Sequence, residues 1–322
     1  KPIIVRAYPG ERAILQVYLP NPSYSPRPPA VLYLHQHQGC GYIWFWGLEV
    51  RNSGIVTRWT DITGSGNGME GVYLGAENIK LINLLIHDAM GNGIGAWRPG
   101  INTELYGNIL FNNGWTAPDR GHGHTFYTQN ETGTKYFIDN LSINPFGDSL
   151  AVYGSSRAFL KNFYFEGNVF MNKWALIGGL TSCPVENIVV KNNFFWNTGP
   201  TLGYYGRLVT KDLTFEGNYV VNHITGYKYG RITIQHWQSI KFVKNKIVNL
   251  TGAAQRVLEL IIGPNGIRDY YFDENQYYHK PYDVDPNVYD RFTIYELDGT
   301  IRGYTWDYDP KHPFPTWRQS NS

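Results

Sequence analysis

Between Trp115 and Asn130 the chain reads WTAPDRGHGHTFYTQN, a segment that gathers two histidines, an Arg, an Asp, a Tyr, a Gln and an Asn around two glycines. An imidazole beside a carboxylate suits general-base chemistry, because the acid fixes the ring's tautomer and raises its basicity. His122 and His124 supply the imidazoles, Asp148 a carboxylate one repeat further on, and Tyr127 a proton donor, so these four are the expected catalytic group. Trp97, Trp115, Tyr153 and Trp174 carry rings whose faces can stack on a pyranose, and Arg98, Asp119, Arg120 and Gln129 add charge and hydrogen bonds. These eight are the expected substrate contacts. His122-x-His124 on one strand could also present two imidazoles to one ion, with Asp148 or Asp119 as third ligand. That spacing is permissive rather than specific, so acid–base use is preferred and no cofactor is expected. The structural alternative is that these polar residues cap turns and satisfy backbone groups.

Composition narrows the partners. Charged residues are 17% of the 322 and the net charge is +2, which leaves no electrostatic footprint for nucleic acid or anionic lipid. No run approaches the ~20 apolar residues that span a bilayer. Phosphate loops, nucleophile elbows and CxxC pairs are absent.

What must position the segment is a repeat. Aligned on Asn83, Asn108, Asn140, Asn168, Asn193, Asn218, Asn245 and Asn275, the intervals are 25, 32, 28, 25, 25, 27 and 30 residues, a solenoid period. A second polar column follows four residues later: His87, Asn112, Asn144, Asn172, Asn197, Asn222 and Asn249. Apolar residues alternate with period two around each anchor, as in Phe163/Phe165, Ile188/Val190, Leu213/Phe215 and Ile240/Phe242, which marks short strands. Asn suits such turns because its amide both donates and accepts and tolerates the turn conformation. Helical repeats need amphipathic stripes that are not present. The reading is an all-β parallel β-helix, a solenoid of about nine to ten coils.

The coil from Asn108 to Asn140 is about seven residues longer than the 25-residue repeat, and the surplus falls at Trp115 to Gly121. Loops of this kind wall the groove of a β-helix; this one is expected to be mobile. Matching neighbouring coils by apolar positions aligns Glu70-Gly-Val72, Asn92-Gly-Ile94, His124-Thr-Phe126, Asp148-Ser-Leu150 and Trp174-Ala-Leu176. At ~4.8 Å per coil His124 then reaches Asp148, and His122 shares the face of His124.

From roughly residue 40 to 280, the N-x-I-x-N rungs and the GHGHTFYTQN stretch resemble the right-handed parallel β-helix proteins of the pectate-lyase-like superfamily. The resemblance implies a secreted or cell-surface protein and a groove for polysaccharide. Polygalacturonases carry N-T-D, an adjacent Asp pair, G-H-G and R-I-K. This chain has Asn102-Thr-Glu104, Gly121-His-Gly123 and Arg231-Ile-Thr233 but no adjacent Asp pair, so that mechanism is not implied. The leading expectation is a carbohydrate-active enzyme, a lyase slightly ahead of a glycoside hydrolase. The rival is a non-catalytic sugar-binding, adhesive or structural β-helix, with homo-oligomer or surface assembly open.

The ends read differently. NPSYSPRPPA at 21–30 is a loop leaving the first coil, since its prolines cannot serve a central ladder. Lys1 opens on a strand already in mid-fold, so any leader is expected to have been removed or to lie outside this sequence, and the amino-terminal cap to be missing. Residues 1–265 form the solenoid, and 266–322 a last coil with an aromatic hairpin cap about Asp298-Gly299. Cys40 and Cys183 lie some five coils apart, too far to bridge, so both are expected to be free thiols. Asn130, Asn140 and Asn249 stand in glycosylation sequons.

Overall fold

The computed structural model describes residues 1–25, 28–36, 41–61, 68–154, 158–179, 183–204, 210–222, 231–250, 257–261, 269–279, 292–295 and 301–304. Each coil contributes three short strands. Ile3–Arg6, Ile14–Val17 and Ala30–His35 stack in parallel register on Ile43–Trp46, Glu49–Asn52 and Glu70–Gly75, and the pattern continues into sheets of ten, ten and eleven strands. The protein is a right-handed parallel β-helix. Its coils begin at Ile3, well before residue 40, and Asp269–Asp273 and Gln276–His279 still stack in register. Phe292–Tyr295 pairs antiparallel with Ile301–Tyr304; the turn between them, with Asp298-Gly299, lies outside the described residues.

The inner positions of the three sheets fill the core. In the first sheet Leu105, Phe137, Phe165, Val190, Phe215 and Phe242 lie directly over one another, all buried. Phe215 and Phe242 stack with centroids 5.1 Å apart. The parallel register therefore converts each sequence repeat into a column of like side chains, and the packing follows from the period.

The corner between the first and second sheets carries the Asn ladder. From Asn108 through Asn140, Asn168, Asn193, Asn218 and Asn245 to Asn275, each Nδ2 donates to the Oδ1 of the next at 2.8–3.2 Å. The same Oδ1 accepts the backbone N–H of the preceding rung. A second Nδ2 hydrogen goes to a strand carbonyl, as from Asn168 to Phe137. Thus the turn's buried polar groups are satisfied by one residue type. The residue before each rung is left-handed, with φ from 53° to 67°: Gly107, Asp139, Gly167, Asn192, Gly217, Lys244 and Glu274, which explains the recurring Gly-Asn.

Two alignments shift. Leu85 pairs with Ile109, so Leu84 and not Asn83 occupies the ladder column, and Leu84 N–H donates to Asn108 Oδ1 at 2.9 Å. Asn83 is the left-handed residue before it; Asn also fills that left-handed place at Asn192, directly before the Asn193 rung, so residue type alone does not separate the two positions. For the same reason Asp88, not His87, begins the second column, whose Asn112, Asn144, Asn172 and Asn197 are left-handed while Asn222 and Asn249 end strands. The asparagines of the three sequons, Asn130, Asn140 and Asn249, are at most 1% exposed in the fold. Asn140 is itself a rung.

The outer faces differ in chemistry. On the first sheet Lys80 pairs with Glu104, and Lys191 and Lys241 flank Glu216. On the second, Leu85, Ile109, Leu141, Val169, Phe194 and Tyr219 form one outward row, with Phe111, Ile143, Met171 and Trp196 two residues on. The third sheet's outer face is a groove.

Candidate functional site

The extra residues of the long coil form an antiparallel hairpin, Trp115–Thr116 with Gly121–His122, closed by Ala117 N–H donating to Arg120 O at 2.9 Å. It is anchored to the neighbouring coils. Thr116 exchanges backbone bonds with Arg58 and Thr60. The Arg58 guanidinium donates to Gly114 O at 2.7 Å and pairs with Asp88 at 2.5 Å. Trp115 is 5% exposed and stacks on His122.

This hairpin and the third sheet enclose a groove of about 900 Å³. Of the twelve residues singled out in the sequence, Trp97, Trp115, Arg120, His122, His124, Tyr127, Asp148, Tyr153 and Trp174 line it. Arg98, Asp119 and Gln129 do not. Arg98 turns to Glu131 at 3.4 Å and covers the Phe159 ring. Asp119 accepts from His122 Nε2 at 3.0 Å, which holds its carboxyl below the usual range. Gln129 donates to Tyr153 O at 3.4 Å.

The histidines do not share a face. Gly123 between them has φ +80°, so the period-two alternation breaks where the hairpin rejoins the sheet. His122 is 4% exposed and belongs to the hairpin. His124 lies one coil below Asp148, as expected, with Nδ1 3.1 Å from Oδ2. The same Nδ1 accepts the backbone N–H of Asp148 at 3.0 Å. A peptide N–H can only donate, so the neutral ring carries its proton on Nε2 and offers the groove a donor rather than a lone pair. Trp174 shifts by one position: Leu150 pairs with Ala175, which sets Trp174 beside Ser149, its Nε1 donating to Thr201 Oγ1 at 2.7 Å. The apolar match to Leu176 misled because Leu176 faces the groove.

Glu70 and Asn92, aligned in the sequence with His124 and Asp148 but not singled out, also line the groove, and Glu70 is the titratable one. It is 6% exposed. Asn92 Nδ2 and Trp97 Nε1 donate to its carboxylate at 2.9 and 3.3 Å. Gly95 makes room for it, since a Cβ there would collide with both carboxyl oxygens. Burial outweighs the two donors and pushes its pKa up to about 7. The signal was present as an acid in the same column as His124 and Asp148. Asn92 ties that column together, its Oδ1 accepting the His124 N–H at 2.9 Å.

Aromatic rings run along the floor. Tyr33 and Tyr73 are 4.7 Å apart, Tyr73 and Trp97 6.1 Å, Trp97 and Tyr127 5.1 Å; further on Tyr204 meets Tyr153 and Trp174 at 6.0 and 5.5 Å. Burial and Tyr153 push Tyr127 up to about 12, so it is a neutral donor at physiological pH. Beneath the floor the buried Lys135 ammonium donates to the carbonyls of Ala96, Trp97 and Gln129 at 2.6–2.8 Å, fixing the backbone that carries Trp97. Its pKa is driven well down by burial. Among the described residues no three His, Cys, Asp or Glu side chains converge as metal ligands, and no helix is long and apolar enough to cross a membrane. Cys183 is buried and free; Cys40 lies outside the described residues.

No family model matches the chain, and no curated protein does. Among solved structures it is similar to PfbA, a surface adhesin of Streptococcus pneumoniae, at 12% identity and a TM-score of 0.31 over 94% of this chain and 89% of that one.

Proposed function

We propose that the groove holds an extended glycan on its aromatic floor and that Glu70 moves a proton in an elimination reaction. The observation that carries this reading is Glu70 itself, a buried carboxyl with a pKa of about 7 amid stacking rings, since a group that titrates near working pH serves as both base and acid. In the proposed step the Glu70 carboxylate takes the proton from carbon 5 of a uronate. The C–H electron pair becomes a carbon–carbon double bond, and the glycosidic oxygen leaves with a proton from Tyr127 or from His124 Nε2. Arg120, exposed on the hairpin tip, pairs with the uronate carboxylate.

Hydrolysis is less favoured. Glu70 and Asp148 stand three coils apart, ~14 Å at the backbone, whereas paired glycosidase carboxyls are roughly 5 to 10 Å apart. The resemblance to pectate-lyase-like proteins supports a secreted or cell-surface setting. The second reading, glycan binding without chemistry, is favoured by the way Asn92, Trp97, Asp119 and the Asp148 backbone already occupy the groove's polar groups.

The deciding experiment incubates the protein and its Glu70→Gln variant with uronic-acid and neutral polysaccharides, following ultraviolet absorbance from the new double bond and release of reducing ends. Both signals together, lost in the variant, are the expected result. Reducing ends alone would mean hydrolysis. Binding with neither signal would leave the non-catalytic reading.

A further inference from the structure

Lys135 takes no part in the proposed elimination, yet it is fully buried. It lies on the core side of the first sheet, in the column that continues as Phe163, Ile188, Leu213 and Ile240. All four are apolar and buried. An ammonium among them costs far more than an apolar chain of like length would, so packing does not account for it. What it gains lies on another wall of the core. Nζ reaches the ends of two third-sheet strands and donates to Ala96 O, Trp97 O and Gln129 O at 2.8, 2.6 and 2.7 Å. Three acceptors take three hydrogens, which the ammonium has and the neutral amine lacks. Burial lowers the pKa of Lys135, while these bonds favour its charged form. Among the described residues no carboxylate pairs with it.

Glu70 is the converse case. It is a buried acid whose bonds, among the described residues, come from neutral donors, Asn92 Nδ2 and Trp97 Nε1. Tyr73 stands on its own strand, and Arg120, His122, His124, Tyr127 and Asp148 line the same groove without bonding to it. A cation without an acid and an acid without a cation therefore meet at one residue. Trp97 gives its carbonyl to Lys135 and its indole N–H to Glu70. We propose that Lys135 is the positioning residue of the groove's acid: through Trp97 it holds the Glu70 carboxyl in place and puts a fixed positive charge beneath the floor on which that carboxyl works. As a statement about catalysis this rests on the role given to Glu70 above; as a statement about the site it does not. A carboxylate formed at Glu70 is then met by a charge already in place, one peptide layer below, without a cation in the groove itself that would compete for an acidic sugar.

The test follows the Glu70 carboxyl by NMR titration, without substrate, in the wild-type chain, in Lys135→Met and in Phe163→Leu, a packing change in the same column. Lys135→Met should raise the Glu70 midpoint by about one pH unit, because the carboxylate loses a cation and the Trp97 bond loosens, and should shift the Trp97 indole N–H resonance. Phe163→Leu should move neither. If Lys135→Met does not fold, the wild-type chain carries the test alone: the Lys135 Nζ resonance should be that of an ammonium throughout the Glu70 titration and should move in step with it. An unmoved Glu70 midpoint in Lys135→Met, an equal movement in Phe163→Leu, or a neutral Lys135 amine at the pH where Glu70 titrates overturns the proposal. A chain that titrates as expected and cleaves no glycan overturns the elimination reading and leaves the pairing of Lys135 with Glu70 standing.

Discussion

Two corners of the same coil have opposite habits. Between the first and second sheets one residue recurs at seven successive rungs and makes the same bonds at each. Between the second and third, the corresponding column reads Glu70, Asn92, His124, Asp148, with different partners each time. Identity down a column is what stacking rewards, because each rung solves the same hydrogen-bonding problem. Variation down a column gives up that reward, and here it coincides with the inserted hairpin and the groove. Sameness marks scaffold; difference marks the site.

The comparison breaks most visibly at the ladder. Asn193→Ala removes the acceptor of Asn168 N–H and the donor to Phe165 O, Lys191 O and Asn218. Leaving several buried groups unpaired should cost about 4 kcal/mol, read as a lower urea midpoint, while glycan affinity of the folded fraction stays unchanged.

Next in size is Glu70→Gln. The unfolded carboxyl ionises near 4.5 and the folded one near 7, so between these values the unfolded chain releases a proton that the fold retains. Stability should therefore fall as pH rises from about 4.5 to about 7 and level off above. The whole shift corresponds to about 3 kcal/mol. Glu70→Gln should flatten that dependence in thermal melts at a series of pH values, raise stability at alkaline pH and abolish any double-bond formation. A slope that persists in the variant would assign it to another group.

Gly95→Ala is a smaller intrusion. Its methyl group displaces the Glu70 carboxyl toward the open groove, where solvent lowers the pKa, and the acid limb of any pH–rate profile should move down with it. Smallest in stability is Arg120→Ala on the exposed tip. The melting temperature should not change, and affinity for uronate-containing glycans should drop while that for neutral ones holds.

How much the sequence disclosed follows the same division. The coil period, the ladder from Asn108 onward and the inserted segment were legible because each rests on recurrence or its interruption. Asn83 was placed one residue off because Asn fills both the rung and the left-handed place before it, as in Asn192-Asn193, and Trp174 because Leu176, matched to Leu150, faces the groove. Glu70 stood in the correct column, yet nothing in its own neighbours announced burial. That depends on Gly95 and Trp97 one coil away. The tautomer of His124 was equally hidden, because its partner is a backbone N–H that any residue except proline at 148 would supply.

The ladder has an electrical side as well. Every Asn carbonyl in it accepts from the preceding coil, so seven amide dipoles lie head to tail along the solenoid axis, a net polarity that the strands' own peptide groups do not build up. Aligned dipoles polarise one another. A central rung such as Asn193 is strengthened from both sides and a terminal one such as Asn275 from one, so residues of equal burial and identical type contribute unequally, and the middle of the molecule is held more tightly than its ends.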